Sequence, residues 1–259
     1  MKLLMTAALT AALMVPLAGT ATAEVTAYPV KHPKLIANPL YEAGPLPTTT
    51  CTEPKVKQGD RKLARAYVDA VIACLETTWE QHLTGAGLPF SKVRVRHVAK
   101  IPKTCDFKPG KDDSQAWYCV KNRTLFFQIG KGWVTDPDDL WLFGTVAYMY
   151  GYQVQNLTGI QVAYDAVPYR GKAEYFEQAR RYHLQKDCLA GAFLKSVWPM
   201  KGRTKKDWDY YVSLLSGDAR GEDPDEGKTA TRRAWSNRGF ATGDPGSCNT
   251  WTVPSSKVA

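Results

Sequence analysis

Histidine is scarce in this chain: four in 259 residues, His32, His82, His97 and His183. A zinc centre built on a helical His pair therefore has no obvious material, and no replacement set of ligands is evident. Gly-x-Ser-x-Gly is absent, which removes the usual nucleophile-elbow signature of hydrolases. There is no phosphate-binding Gly loop and no Cys-x-x-Cys, so neither nucleotide-loop chemistry nor a dithiol redox motif is indicated. Beyond the N-terminus no stretch approaches about 18 uninterrupted apolar residues, so no transmembrane segment is expected in the mature chain.

What is present describes an exported globular protein. Met1-Lys2 supplies a positive end, residues 3–17 an apolar core too short to span a bilayer, and Ala21-Thr22-Ala23 a small-x-small cleavage site. The expectation is a signal peptide at 1–23 and a secreted, extracellular product. The hydrophobic fraction of 44% is that of a folded domain. The formal net charge of +9 comes from Lys and Arg spread along the chain, which reads as a solvated surface. Anionic cell-envelope polymers would suit such a surface, and nucleic acid is not expected as a partner.

Six cysteines, an even number in an exported chain, favour disulfides over thiol chemistry. Six allow about 15 pairings, so connectivity stays open. Cys105 with Cys119 would staple a loop before a strand, Cys188 with Cys248 would tie the C-terminal tail to the core, and Cys51 with Cys74 would remain.

Along the chain, residues 24–60 are rich in Pro and Thr without a clear period and read as an extended arm or linker. From Arg61 a helical period sets in, with Leu63, Tyr67, Val71, Leu75 and Trp79 four apart, His82 a turn on, and a stop at Gly85-Ala86-Gly87. Residues 92–98 alternate charged and apolar side chains and 124–129 form a β-branched and aromatic run; both read as strands, with a polar loop around Pro109-Gly110 between them. Asp136-Pro137-Asp138-Asp139 reads as a helix start and Gly159 as its stop. Residues 161–170 connect this central helix to a long one at 172–198. Shorter helices are expected at 206–216 and 229–240.

On the central helix Gly144, Ala147, Gly151 and Gln155 fall near one face, with Tyr148 and Tyr152 beside them. Each helical Gly costs about 1 kcal/mol relative to Ala, so two on one stripe indicate that something packs very close. This segment resembles the central helix of the neutral zinc metallopeptidases, a zincin-like family, which reads approximately Ala-His-Glu-x-Gly-His-His-Val-Gln-Asn-Leu-x-Gly-Ile. Ala147, Gly151, Val154, Gln155, Asn156, Leu157, Gly159 and Ile160 match. The first zinc-binding His falls on Tyr148, the general-base Glu on Met149 and the second His on Tyr152. A second block, His183-Leu184-Gln185-Lys186-Asp187-Cys188-Leu189-Ala190-Gly191, resembles the family's Glu-Leu-Gln-Ala-Asp-Cys-x-Ala-Gly. There the Glu that the family uses as third ligand falls on His183, and Asp187 is retained as a structural acid beside the site. The His-Gly before the family's last helix falls on Glu226-Gly227, while Arg232, Arg233, Trp235, Arg238, Gly239 and Phe240 match within it.

The resemblance implies an α+β, zincin-like domain over residues 61–259, stapled by disulfides, whose catalytic letters have been replaced. A phenol has a pKa near about 10, so two phenolate ligands at Tyr148 and Tyr152 would be costly, and Met149 cannot accept a proton. Zinc is the family's cofactor, but its ligands are missing, and no cofactor and no catalytic residue are assigned. The reading is a pseudo-peptidase with a binding or structural role at the cell envelope. Tyr148, Tyr152, His183 and Asp187 are the candidates to line an inherited cleft for a peptide or glycan. The alternatives are a hydrolase rebuilt around His183, Asp187 and Glu226, or a basic protein that binds the cell wall by its surface. Asp187 is expected to pair with Arg180 or Arg181.

Overall fold

The computed structural model describes residues 30–259 apart from 106, 109, 136–139 and 222. The segment 1–23, expected to be a signal peptide, and the helix start expected at 136–139 lie outside the described residues. In chain order the helices are α1 (Pro33–Ile36), α2 (Arg61–Gly85), α3 (Trp141–Leu157), α4 (Ile160–Ala166), α5 (Lys172–Ser196), α6 (Lys205–Leu214) and α7 (Thr229–Thr242). The strands are β1 (Arg94–His97), β2 (Gln115–Cys119) and β3 (Thr124–Gln128), giving an α+β chain with a small sheet.

Helix α2 follows its sequence period. Asp60 caps it, accepting from the amides of Lys62 and Leu63 at 2.9 and 3.0 Å. Tyr67, Val71, Leu75, Trp79 and His82 are all buried along one stripe. The sheet runs β1-β3-β2, with β1 parallel and β2 antiparallel to β3. Alternation along β3 sends Leu125 and Phe127 into the main core and Phe126 into a small second one with Ile101, Cys105, Phe107 and Cys119. β2 follows the polar loop around Pro109-Gly110, in a stretch for which no element was expected. Its Gln-Ala-Trp-Tyr-Cys sequence does carry two residues of strand propensity, Trp117 and Tyr118, but they are adjacent within an apolar run, so no alternation marked it.

The 30–60 stretch is no free linker. It has little regular structure, as its prolines dictate, but Leu35 and Leu40 are fully buried in the main core. Asn38 Nδ2 donates to Thr158 O at 3.0 Å, the Leu46 amide to Gly243 O at 2.8 Å, and the Thr49 amide to Ser196 O at 3.0 Å. An irregular segment can dock in this way when its backbone groups find partners on the body, and no sequence period reports that. The connection at 161–170 likewise contains a short helix, α4, entered through Gly159 at φ +77°.

The three disulfides are Cys51–Cys74, Cys105–Cys119 and Cys188–Cys248, with Cα separations of 5.8, 5.3 and 5.4 Å. The last ties the C-terminal segment to α5, which is buried over most of its length between α3 and α7.

Glycines set the close approaches. A Cβ on Gly144 would lie 2.2 Å from the Tyr211 ring, and one on Gly151 would lie 3.0 Å from Lys186 Cγ, so the glycine face of α3 does accommodate tightly packed neighbours. Between α5 and α7 the contact is backbone on backbone: a Cβ on Gly239 would meet Cys188 O at 1.9 Å. Gly239→Ala should therefore lower stability by about 3 kcal/mol, or about 6–12 °C in Tm. Gly85→Ala, with nothing within 4 Å of the added carbon, is the control and should cost nothing. Equal melting temperatures for the two variants would show that the helices can separate freely.

Candidate functional site

Tyr148 and Tyr152, four residues apart on α3, face α5 and meet His183 and Lys186, which stand three apart on that helix. The two phenol rings pack edge to face with centroids 6.4 Å apart, and the Tyr152 and His183 rings are also 6.4 Å apart. Tyr152 stacks in turn on Tyr118 of β2. Met149 is buried beside them.

The loop between α6 and α7 closes the site. Asp218 accepts from the backbone amides of Glu226 and Gly227 at 2.8 and 3.0 Å, which fixes the Glu226 side chain over the rings. Tyr148 Oη donates to Glu226 Oε2 at 3.0 Å, His183 Nδ1 lies 2.9 Å from Oε1, and Arg232 Nη1 lies 3.4 Å from Oε2. Burial raises the Glu226 carboxyl pKa, but His183, Lys186 and Arg232 outweigh it and hold the group well below the usual carboxylate range. Burial pushes both phenols, Tyr148 and Tyr152, well above their usual value, so they are neutral donors.

Asp187 is buried, and its partner is neither neighbouring arginine. Arg232 of α7 grips it with two bonds, Nε to Oδ2 at 2.9 Å and Nη2 to Oδ1 at 3.0 Å. Arg180 and Arg181 turn to backbone carbonyls of the C-terminal segment, Val258 and Val253 at 2.9 Å each. A pairing across 45 residues leaves no local trace, whereas the neighbouring arginines were only near in sequence.

Lys186 went unremarked in the sequence. Its side chain is fully buried, and its ammonium lies 3.3 Å from the Tyr152 ring centroid, 4.2 Å from that of Tyr148 and 5.8 Å from that of Tyr182. Nζ has no hydrogen-bond acceptor. Burial lowers its pKa from 10.5 to about 7, against the opposing pull of Glu226 and Asp187. The available signal was a Lys where the family block has Ala, one helical turn from His183.

A cavity of about 230 Å³ opens in front of this cluster, with Tyr148, Met149, Asp187, Glu226 and Arg232 in its wall. Trp133, Trp141 and Tyr211 give it further aromatic surface, and Ala116 of the sheet-edge strand β2 borders it. Of the four cleft candidates, Tyr148 and Asp187 line the cavity, while Tyr152 and His183 sit outside its lining. The other histidines lie elsewhere: His97 pairs with Asp69 at 2.7 Å, His82 is buried on α2, and His32 precedes α1.

The donor set does not fit zinc in the family's manner. Two of its three positions are neutral phenols, and a side-chain ammonium rests on their rings. One group of metal-type side chains does converge among the described residues: ligand atoms of His183, Asp225 and Glu226 lie within 4.8 Å of one another. Glu226 in that group is already engaged by Tyr148, His183 and Arg232, and two cations stand beside it. A divalent ion there would face Arg232, which stays charged, and Lys186 whenever it is protonated.

The chain is 24% identical over 209 residues to the uncharacterized protein YpfJ of Escherichia coli K12, covering 73% of this chain and 71% of that one. It is 26% identical over 221 residues to the uncharacterized protein Rv2575 of Mycobacterium tuberculosis H37Rv, covering 69% and 68%. No solved structure matches it significantly. The family described as "Putative neutral zinc metallopeptidase" matches residues 28–251, from the docked N-terminal stretch to the closing Cys188–Cys248 staple, and the chain belongs to that family.

Proposed function

We propose that this chain is an exported member of the family that neither holds zinc nor cleaves peptide bonds, and that its cleft serves to bind. The observation that carries this is the buried ammonium of Lys186 on the rings of Tyr148 and Tyr152, the positions where the resemblance puts two zinc-binding imidazoles. Met149, in the general-base position, has no proton-accepting group. Three disulfides support an oxidising compartment, and no helix among the described residues is long and apolar enough to cross a membrane. The aromatic wall of the cavity and the adjoining strand edge suit a peptide or a sugar ring better than a small anion, since Arg232 is already committed to Asp187.

The experiment is metal content: oxidised mature protein, dialysed against buffered zinc, analysed for zinc per chain alongside a peptidase assay at neutral pH. Less than about a tenth of an equivalent and no cleavage are expected. One equivalent, lost on His183→Ala, would overturn the reading. The His183–Glu226 contact at 2.9 Å beside the cavity favours a second reading, a rebuilt hydrolase. Its weakness is that Glu226 is held too acidic to take a proton efficiently near pH 7. Cleavage that follows a pH profile and vanishes in His183→Ala would establish it.

A further inference from the structure

We propose that Lys186 has taken the metal's place, so that the pocket carries its cation covalently and excludes zinc even when imidazoles are returned to α3. This rests on the metal-free reading above.

The argument is geometric. Positions 148 and 152 on α3 and 183 on α5 converge on one space, and the ammonium of Lys186 fills it, at 3.3 and 4.2 Å from the two ring centroids. A fully buried ammonium without an acceptor is strongly unfavourable, and a Met or Leu would fill the volume without that penalty. The surroundings are those a cation requires. Two π faces point at it, and the carboxylates of Glu226 and Asp187 favour its charged form against the burial and the Arg232 guanidinium that oppose it. Gly151 completes the arrangement, because a Cβ there would crowd Lys186 Cβ and Cγ at 3.1 and 3.0 Å. Three of the departures from the family pattern, at 148, 152 and 186, form one set. Ring faces replace imidazole lone pairs at 148 and 152, and a tethered ammonium replaces the ion they would have held.

The test restores the imidazoles with and without the lysine. Wild type, Tyr148→His/Tyr152→His and Tyr148→His/Tyr152→His/Lys186→Ala are each titrated with zinc against a competing chelator, with circular dichroism as a check on fold. The double variant should bind no zinc, and the triple about one equivalent, at least about 100-fold more tightly, because a fixed like charge beside the ion is gone. A double variant that binds as tightly as the triple overturns the proposal, as does a natively folded triple that binds none. Zinc in the wild type would instead sink the parent reading, so the two failures are distinct. If the triple variant does not fold, the wild type still decides by NMR. One lysine Hε resonance should be displaced upfield by the two rings and missing in Lys186→Met; no such resonance overturns the proposal.

Discussion

Lys186→Met makes the protein more stable at neutral pH, by about 1–4 kcal/mol, because it removes a buried ammonium and keeps the volume. The wild-type group has no acceptor, and its pKa falls from 10.5 to about 7 under the desolvation of burial. Each unit of such a shift is worth about 1.4 kcal/mol between charged and neutral forms, and the ring faces return part of it. The sign with pH follows. Between about 7 and 10 the unfolded lysine keeps its proton while the folded one sheds it, so the unfolded state binds more protons and wild-type stability rises with pH. Below 7 both states are protonated and the penalty is at its full, constant value. The gain from Met is therefore largest at and below pH 7 and shrinks toward pH 10. Glu226 is held ionised, Arg232 is held charged, and the phenols of Tyr148, Tyr152 and Tyr182 stay neutral throughout. Denaturant unfolding at pH 6.5, 8 and 9.5 measures it. A gain that does not change across that range would mean that Lys186 keeps its charge in the fold at every pH tested. A lysine that costs stability at this position accords with the proposed tethered replacement for an ion.

How far these features were legible depends on whether their cause is local. The α2 stripe, the glycine face of α3 and the limits of α5, which ends at Ser196 just ahead of Pro199, are written in spacing and punctuation that one segment contains. The convergence of Tyr148, Tyr152 and His183 came instead from matching two separated blocks to one family pattern. β2 was missed because its burial comes from β3 and α3 rather than from its own residues, and the docking of residues 30–60 because backbone partners on α5 and the C-terminal segment decide it. Lys186 is the instructive omission. A lysine in a helix ordinarily snorkels to solvent, and its residue type argued for the surface. Its position argued for the interior, since it follows His183 by three and Tyr182 by four on a helix whose later half is almost wholly buried. Position wins here because Gly151 leaves room for the stem, which a Cβ there would crowd at 3.0 Å, and the rings give the ammonium a favourable face.

Arg232→Leu should be among the most damaging single changes on α7, costing about 3–5 kcal/mol and about 10 °C or more in Tm. Arg232 holds both oxygens of Asp187, donates to Ser216 O at 2.8 Å and stands 3.4 Å from Glu226, so one side chain joins α5, α7 and the loop that carries Glu226. Asp187 is 2% exposed, and burial already raises its pKa against the opposing pull of Arg232. Without the guanidinium the carboxylate is left unpaired in the interior, and it must either stay charged at great cost or take up a proton. The second course gives the prediction its pH signature. With the folded pKa raised further above the unfolded value, the variant loses stability as pH climbs from about 4 through that folded pKa, and its deficit relative to wild type is larger at pH 8 than at pH 5. Removing both charges together, as Asp187→Leu/Arg232→Leu, should recover most of the loss, since no uncompensated ion remains. With the single Asp187→Leu variant added, these and wild type form a cycle whose coupling energy should be about 2–3 kcal/mol. A coupling near zero would mean that the two bonds contribute nothing net. Recovery of stability without recovery of protease resistance in the 215–228 loop would assign the rest of Arg232's role to holding Ser216 and Glu226 in place over the rings.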